Sequence, residues 1–284
     1  MSKKKKMKKK EKKLLKLMNL GSKSVEILES GKIKFKKDKK VDIGHYVESS
    51  VNDAKISRLE GIPSKEEIII DGSNNTYRLN TSANCSSIAR IIDIVSDINS
   101  NDVQTIVLPM TKKKANKLEN NHIFEWLCKS STLLATYTKL NTRWRELNDD
   151  DKSNFTNVMY IPNIYIFIEK NGKLRKKPIA VNLMIVAVPS STGVNNNRLE
   201  VVDDIDYTNR VITDSLEACI RCGCKSIVVD PYSMKILMSD VHYTAKYWHG
   251  KTETQRVIEN IRNITFSIND DDLYVIFCKN KQSM

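Results

Sequence analysis

The stretch YIPNIYIFIEKNGKLRKKPIAVNLMIVAVPS, residues 160–190, decides the fold. It contains two runs rich in β-branched and aromatic residues, Tyr160–Ile168 and Ile179–Val188. An asparagine–glycine pair at 171–172 lies between them, and such a pair is typical of a turn between strands. The sequence therefore predicts two buried strands in one sheet.

Strands and helices alternate on both sides of this pair. The hydrophobic patterns predict further strands at Glu67–Asp71, Thr76–Leu79, Val103–Leu108, Ser226–Val229, Asn263–Ile268 and Leu273–Phe277. They predict helices at Asn84–Ile98, His122–Leu140, Asp204–Cys222, Asp240–Trp248 and Thr252–Asn260, the third of which ends at Gly223. This alternation favours an α/β fold with a mixed sheet between helices.

Three regions are predicted along the chain. Residues 1–16 form a lysine-rich tail that we expect to be disordered, because like charges repel one another. Residues 17–65 are interpreted as a helical leader packed on the domain, with a turn-like segment at Lys32–Lys40 and a helix at Val41–Leu59. Residues 66–284 form the α/β domain.

The net charge of +13 comes entirely from the N-terminal part of the chain. The first 40 residues hold 17 lysines and four acids, whereas the other 244 hold 30 basic and 30 acidic residues. A nucleic-acid-binding domain needs its positive charge on a folded face, so the composition argues against that class for the body. The tail itself, residues 3–16, remains a candidate for non-specific nucleic-acid binding, a nuclear address or a solubilising segment.

Composition also bears on the compartment. No apolar run reaches the roughly 20 residues that a membrane-spanning helix needs, and the N-terminus lacks the apolar core of a secretory signal. The six cysteines are scattered through a large chain, as is usual for reduced thiols. These features predict an intracellular protein, cytoplasmic or nuclear, without a membrane span.

Glycines and cysteines give no sign of a cofactor or a metal. None of the nine glycines lies between Gly72 and Gly172, and no phosphate-binding loop or dinucleotide fingerprint is present. Cys219, Cys222 and Cys224 lack an evident fourth ligand for zinc, so we expect structural thiols and no metal.

Two further stretches remain open on the residues alone. Glu125 is flanked by Ile123, Phe124 and Trp126, surroundings that can raise a carboxyl pKa and make it a general acid, although a helix N-terminus also explains an acid there. The aromatic stretch HYTAKYWHG at 242–250 could stack a base or ribose, but packing against a sheet is the favoured interpretation.

Taken in order, these segments resemble a known family. Five blocks are similar to blocks of the microbial-type poly(ADP-ribose) glycohydrolases, a branch of the macro-domain fold. They are the leader SVEILESGKIKFKKDKKVDIGHYVESSV, the helix EWLCKSSTLL, the strands of residues 160–190, the segment SLEACIRCGCKSIVV and the closing FSINDDDLYVIF. The likeness extends over nearly the whole chain from about Ser24. It implies a macro-domain-like α/β fold whose last strand is Leu273–Phe277.

The resemblance also implies a site, from which this sequence departs. The family's Gln-Glu-Glu trio falls on Ile123, Phe124 and Glu125, so Glu125 matches the general acid while Phe124 replaces the acid that holds the ribose. The glycine triplet falls near Lys113 and Lys114. The second glycine-rich loop falls on DPYSMKILMSD, beginning at Asp230 and Tyr232, and contains no glycine. The predicted site therefore has six residues. Glu125 is the catalytic one, and the ligand is surrounded by Phe124, Lys113, Lys114, Asp230 and Tyr232.

Three functions follow as expectations. The first is a catalytically impaired macro-domain protein, a pseudoenzyme that binds ADP-ribose or an ADP-ribosylated protein, because charge-assisted hydrogen bonds of about 1.5–3 kcal/mol each are lost with the glycine loops. The second is an active ADP-ribosyl glycohydrolase that uses Glu125. The third is a nucleic-acid-binding protein driven by the tail. The lysine-, asparagine- and isoleucine-rich composition would suit a large DNA virus.

Overall fold

The computed structural model describes the parts of the chain that carry the fold. The described residues are 32–34, 40–42, 44–59, 76–80, 103–118, 121–148, 155–168, 174–189, 204–232, 240–268 and 270–282. The predicted tail 1–16, the predicted strand Glu67–Asp71 and the predicted helix Asn84–Ile98 lie outside them. The predicted division into tail, leader and domain stays a prediction.

Nine strands and eight helices lie within these ranges. The strands are β1 (Lys32–Lys34), β2 (Lys40–Asp42), β3 (Lys55–Leu59), β4 (Thr76–Asn80), β5 (Gln104–Thr111), β6 (Thr156–Ile168), β7 (Leu174–Val188), β8 (Ser226–Val229) and β9 (Asn263–Ser267). The helices are α1 (Gly44–Asn52), α2 (Lys112–Ala115), α3 (His122–Ser130), α4 (Leu133–Asn148), α5 (Asp204–Arg221), α6 (Val241–Thr252), α7 (Gln255–Asn260) and α8 (Asp271–Gln282).

Seven strands form one mixed sheet in the order β3-β6-β7-β5-β8-β9-β4. The neighbours β3, β6 and β7 are antiparallel, and β7, β5, β8, β9 and β4 are parallel to one another. The pair predicted from residues 160–190 is confirmed as β6 and β7, next to β5 at the centre. Strands β1 and β2 form a separate antiparallel ribbon.

Helices cover both faces of the sheet. Successive strand residues point to opposite faces, and at the start of β6 Thr156 donates a hydrogen bond to Asp214 of α5, whereas Asn157 donates to the carbonyl of Leu147 in α4, at 3.1 Å. Helix α5 therefore packs on one face and α4 on the other. The predicted mixed sheet between helices is confirmed.

The core is a continuous layer of apolar side chains on both faces. All eight residues of β5 are buried, and the largest fully buried rings include Trp144, Trp248 and Phe266. Burial on this scale is the main favourable term in folding. In the part of the chain that the structure describes, no helix has the length and apolar character needed to cross a membrane.

A bulge in β6 fixes how α1 lies on the sheet. The register between β6 and β7 shifts between Ile161 and Ile164, and Asn163 adopts a positive φ of 54°. Its amide donates to Oδ1 of Asn182 at 3.0 Å, and its carbonyl accepts from the Ser50 hydroxyl of α1 at 2.8 Å. Asparagine tolerates this backbone region better than most residues, so the bulge ties α1, β6 and β7 together.

Two predictions near the N-terminus were wrong. Residues 55–59 form the edge strand β3 rather than the end of a helix, and the predicted helix Val41–Leu59 is therefore limited to α1. The two buried residues of this strand, Ile56 and Leu59, are three apart, a spacing that also suits a helix, and it is the antiparallel pairing with β6 that makes the segment a strand. The segment Lys32–Lys40, predicted as turn-like, contains strand residues at both ends.

The predicted helix His122–Leu140 is two helices. Ser131 and Thr132 interrupt it, because Ser131 bridges to Ile166 of β6 and the Thr132 amide donates to the Tyr165 carbonyl at 3.1 Å. Helix α4 packs against α3 through the contact of Tyr137 with Phe124. A pairing between a helix end and a distant strand cannot be read from local periodicity.

The predicted closing strand Leu273–Phe277 is also wrong, since it lies inside helix α8. The Asp270 carboxylate accepts a hydrogen bond from the Leu273 amide at 3.0 Å and caps the helix. Acids in the first turn favour a helix N-terminus. Leu273 and Phe277, four residues apart, are the buried positions of this helix. The last strand is instead β9, close to the predicted Asn263–Ile268.

Candidate ligand site at the carboxyl edge of the sheet

The parallel strands place two predicted loops at one edge of the sheet. Residues Thr111 of β5 and Val188 of β7 are register partners, and Val229 of β8 pairs with Val107 of β5. The segments that follow β5 and β8 therefore leave the sheet at its carboxyl edge. Ligands of open α/β sheets generally bind outside this edge, so the two segments stay the candidate ligand site.

The segment after β5 is a short helical turn, α2, rather than a glycine loop. The Thr111 hydroxyl accepts from the Lys114 amide at 3.2 Å and caps the turn. Lys112 is buried, with 3% of its surface exposed, whereas Lys113 and Lys114 are exposed. The side chains that could meet an anion at this edge are thus Lys113 and Lys114, both of which were predicted.

Helix α3 carries Glu125 in its first turn. The Asn121 side chain caps the helix by accepting from the Phe124 amide at 2.9 Å. The Glu125 carboxylate is partly exposed and accepts a hydrogen bond from the ammonium group of Lys129, one helical turn further on. Sequence reasoning missed this lysine, although the spacing of four residues between an acid and a base was visible.

Phe124 is part of the core. None of its surface is exposed, and its ring meets that of Tyr137 edge-on at a centroid distance of 4.8 Å. Edge-to-face contact of this kind is a favourable aromatic arrangement. The position at which the resemblance implies a ribose-holding acid is therefore filled by an apolar ring that faces inward.

Trp144 joins α4 to the turn that carries the lysines. Its indole N–H donates to the Ala115 carbonyl of α2 at 3.2 Å, and its side chain is fully buried. This hydrogen bond fixes α2 against the same helix that packs on Phe124 through Tyr137. The role of Trp144 could not be inferred from the sequence, because the hydrogen bond connects residues that are far apart in the chain.

The segment after β8 places Asp230 and Tyr232 differently. The Asp230 carboxylate accepts from the Tyr232 amide at 2.9 Å and closes a tight turn. Tyr232 is buried, its hydroxyl donates to the Val241 carbonyl at 3.4 Å, and burial raises its pKa, with Asp230 adding to the rise. Tyr232 thus packs in the core, while Asp230 stays at the edge; residues 233–239 of this loop lie outside the described ranges.

The aromatic stretch at 242–250 packs on the sheet, as the favoured interpretation predicted. Trp248 and His249 are buried against Phe266, and the Trp248 indole N–H donates to the Pro231 carbonyl at 3.3 Å. Tyr243 and Tyr247 stack on each other at 6.0 Å.

No group of three or more histidine, cysteine and acidic residues suited to a metal ion occurs among the described residues. Cys219 and Cys224 are buried and Cys222 is half-buried, all as free thiols. The interpretation of this cluster as thiols that pack at a helix end is in keeping with that placement.

The mixed sheet and the helices on both of its faces form an α/β fold that solved structures share. The fold is that of microbial poly(ADP-ribose) glycohydrolases. The enzyme from Thermomonospora curvata matches with a TM-score of 0.67 at 16% identity, covering 93% of this chain and 99% of that one.

Two ligand complexes match over similar lengths. The Thermomonospora curvata enzyme bound to the inhibitor ADP-HPD gives a TM-score of 0.65 at 16% identity, covering 93% of this chain and 98% of that one. The Deinococcus radiodurans enzyme in complex with ADP-ribose gives 0.60 at 13% identity, covering 84% and 97%. Scans of protein-family models and of curated proteins find no match. At these identities the likeness establishes the fold.

Proposed function

We propose that this protein is an ADP-ribose-binding module built on a glycohydrolase fold, with glycosidic cleavage impaired. Solved structures of the same fold hold ADP-ribose or ADP-HPD. The ligand proposed here is ADP-ribose, free or attached to a protein.

Electrostatics at the carboxyl edge support a diphosphate ligand. Lys113 and Lys114 are exposed next to the end of β5, where the resemblance implies backbone amides of a glycine loop. A lysine ammonium attracts phosphate as a point charge but orients it less well than a fixed array of amides. The proposal is therefore a weaker, salt-sensitive diphosphate contact than a glycine loop would give.

The observation that carries impaired cleavage is the buried ring of Phe124. Cleavage of a glycosidic bond needs an acid placed against the leaving oxygen, and orientation of that bond supplies much of the rate. With Phe124 in the core, only Glu125 offers a carboxylate in the first turn of α3. Its Oε1 already accepts from Lys129, so only Oε2 is left to donate a proton to a substrate.

Calorimetric titration of ADP-ribose tests the binding half of the proposal. We expect heat of binding with the wild-type protein and at least about ten-fold weaker binding, or 1.4 kcal/mol, for Lys113→Glu/Lys114→Glu. Lys246→Glu is the matched control, because Lys246 is an exposed lysine on a different helix, α6. Absence of heat at millimolar ligand, or equal affinity of the double variant and the wild type, would contradict this half.

Incubation with poly(ADP-ribose) tests the other half. We expect no release of ADP-ribose above the level seen with Glu125→Gln. If the wild-type protein releases ADP-ribose and Glu125→Gln stops the release, the protein is an active ADP-ribosyl glycohydrolase that uses Glu125, and impairment is wrong.

A further inference from the structure

Three cysteines lie within six residues where α5 turns into β8. The turn is a Schellman motif: Gly223 has a φ of +74°, its amide donates to the Ile220 carbonyl at 3.0 Å, and the Cys224 amide donates to the Cys219 carbonyl at 2.9 Å. The second of these bonds fixes the backbones of Cys219 and Cys224 close together.

The two thiols also meet. Cys219 and Cys224 are hydrogen-bonded to each other through their side chains, with 0% and 3% of their surfaces exposed. Two thiols that share a hydrogen bond need only a small rotation to reach bonding distance. A disulfide generally requires Cα atoms about 4.4–6.8 Å apart, which a single turn of this type can provide.

The surroundings make the two thiols unequal. The pKa of Cys224 is lowered, chiefly because it accepts the hydrogen bond from Cys219; burial opposes this, while the Thr105 hydroxyl and the charge of Lys55 add to the lowering. The pKa of Cys219 is raised by the same hydrogen bond and by burial. The thiolate is the reactive form of cysteine, and the hydrogen bond from Cys219 stabilises that form at Cys224.

Cys222 differs from both. It is half-buried, and burial together with the nearby Cys224 raises its pKa to about 11. A thiol of this kind is protonated at neutral pH and reacts slowly. Being closest to solvent does not make it the reactive cysteine of the cluster.

We propose that Cys219 and Cys224 form a reversible disulfide when the protein meets a hydroperoxide. The Cys224 thiolate attacks an oxygen of hydrogen peroxide, the O–O bond breaks, and a sulfenic acid and hydroxide result; the hydroxide takes up the proton that Cys224 lost on ionising and leaves as the first water. The Cys219 sulfur then attacks the Cys224 sulfur, the S–O bond breaks, and the departing hydroxide takes the Cys219 proton to leave as a second water. Two thiols are oxidised and one hydrogen peroxide is reduced to two waters.

Trypsin makes the product directly visible. Cleavage after Arg210, Arg221 and Lys225 separates VITDSLEACIR, which contains Cys219, from CGCK, which contains Cys222 and Cys224. The folded protein is treated with hydrogen peroxide, alkylated in denaturant, digested without reduction and measured by mass spectrometry. We expect the two peptides to be joined, and to separate after treatment with dithiothreitol.

Variants assign the bond. Cys222→Ser should keep the joined peptides, whereas Cys219→Ala and Cys224→Ser should lose them; circular dichroism checks that each variant is folded. Cys128, a buried cysteine on α3, should stay alkylatable and serves as the internal control. The proposal is overturned if both peptides of the wild-type protein stay fully alkylated after peroxide, or if Cys222→Ser abolishes the joined product.

Discussion

At the scale of single residues, Phe124 and Tyr232 show that a position assigned to the ligand by sequence can hold a side chain that packs in the core. Both stand at positions that the resemblance assigns to the ligand, yet both are buried, and each ring packs edge-on against another aromatic ring. Lys113 and Lys114, predicted from the same resemblance, are exposed. Position in the chain could be inferred from sequence blocks, but burial depends on long-range packing, which those blocks do not contain.

Replacement of Phe124 measures how far that ring stabilises the corner of α3 and α4. We expect Phe124→Ala to lower the free energy of unfolding by about 3–5 kcal/mol, because it leaves a cavity beside Tyr137. Urea denaturation measures the change. Phe155→Ala is the matched control, since Phe155 is 42% exposed and its replacement should lower the free energy of unfolding much less. Similar midpoints for Phe124→Ala and the wild type would show that the ring is not packed as described.

At the scale of elements, a charged cluster joins α5 to α7. Glu217 accepts hydrogen bonds from Arg256 at 2.9 and 2.8 Å and from Arg221 at 2.7 Å. Burial alone would raise the pKa of Glu217, but the two arginines outweigh it and hold the pKa below its ordinary value. The carboxylate is almost fully buried, whereas Arg256 is largely exposed, so solvent screens part of the interaction.

This lowered pKa has a definite effect on stability against pH. A group whose folded-state pKa is depressed stabilises the fold above its unfolded pKa, about 4.3 for glutamate, and that stabilisation is lost as pH falls through the folded-state pKa. We expect Glu217→Gln to lower the free energy of unfolding by roughly 1–2 kcal/mol at neutral pH. On acidification, the free energy of unfolding of this variant should fall less than that of the wild type. Urea denaturation at neutral and acidic pH checks both effects.

Glu259→Gln provides the comparison for that measurement. Glu259 is an exposed acid on α7 itself and pairs with Gln255, at 2.7 Å. Its replacement should change neither the neutral stability nor the acid dependence appreciably. Parallel curves for Glu217→Gln and the wild type between neutral and acidic pH would contradict the role given to the cluster.

The elements themselves could be predicted unevenly. Strand Ser226–Val229 was predicted with its observed bounds, and the helix before it was predicted to stop at Gly223, where the positive φ indeed ends it. Local patterns were sufficient there because each signal lies within one element. Strand β3 and helix α8 were misassigned because short apolar spacings fit both periods, and only the pairing of β3 with β6 and the cap at Asp270 decide between them.

At the scale of the whole molecule, the net positive charge and the α/β fold belong to different parts of the chain. The fold of glycohydrolases was inferred from the order of the sequence blocks, whereas the net charge of +13 is confined to the first 40 residues. The segments at the carboxyl edge could be located because parallel strands all end there. The side-chain contacts around these segments could not be predicted, because the contacts of Glu125 with Lys129 and of Trp144 with α2 arise only on folding.

Deletion of residues 1–13, which hold nine lysines and one acid, tests whether the tail is the source of any polyanion binding. We expect the full chain to bind single-stranded nucleic acid weakly and with strong salt dependence, because lysines release counterions from the phosphates. The deletion should abolish this binding and leave Tm and ADP-ribose binding unchanged. Fluorescence anisotropy over a salt series measures nucleic-acid binding. Nucleic-acid binding that survives the deletion would rule out the tail as its cause.

The pairing of β4 with β9 has a consequence for how the chain reaches its native state. Thr76 lies beside Asn263 in a parallel register, so β4 can pair only after the much later strand β9 has been synthesised. Contacts between such distant segments raise the contact order and slow folding, and parallel sheets are especially affected. The strand at residues 76–80 therefore cannot pair with β9 on the ribosome until residue 267 has emerged. During this time chaperones can bind the unpaired segment.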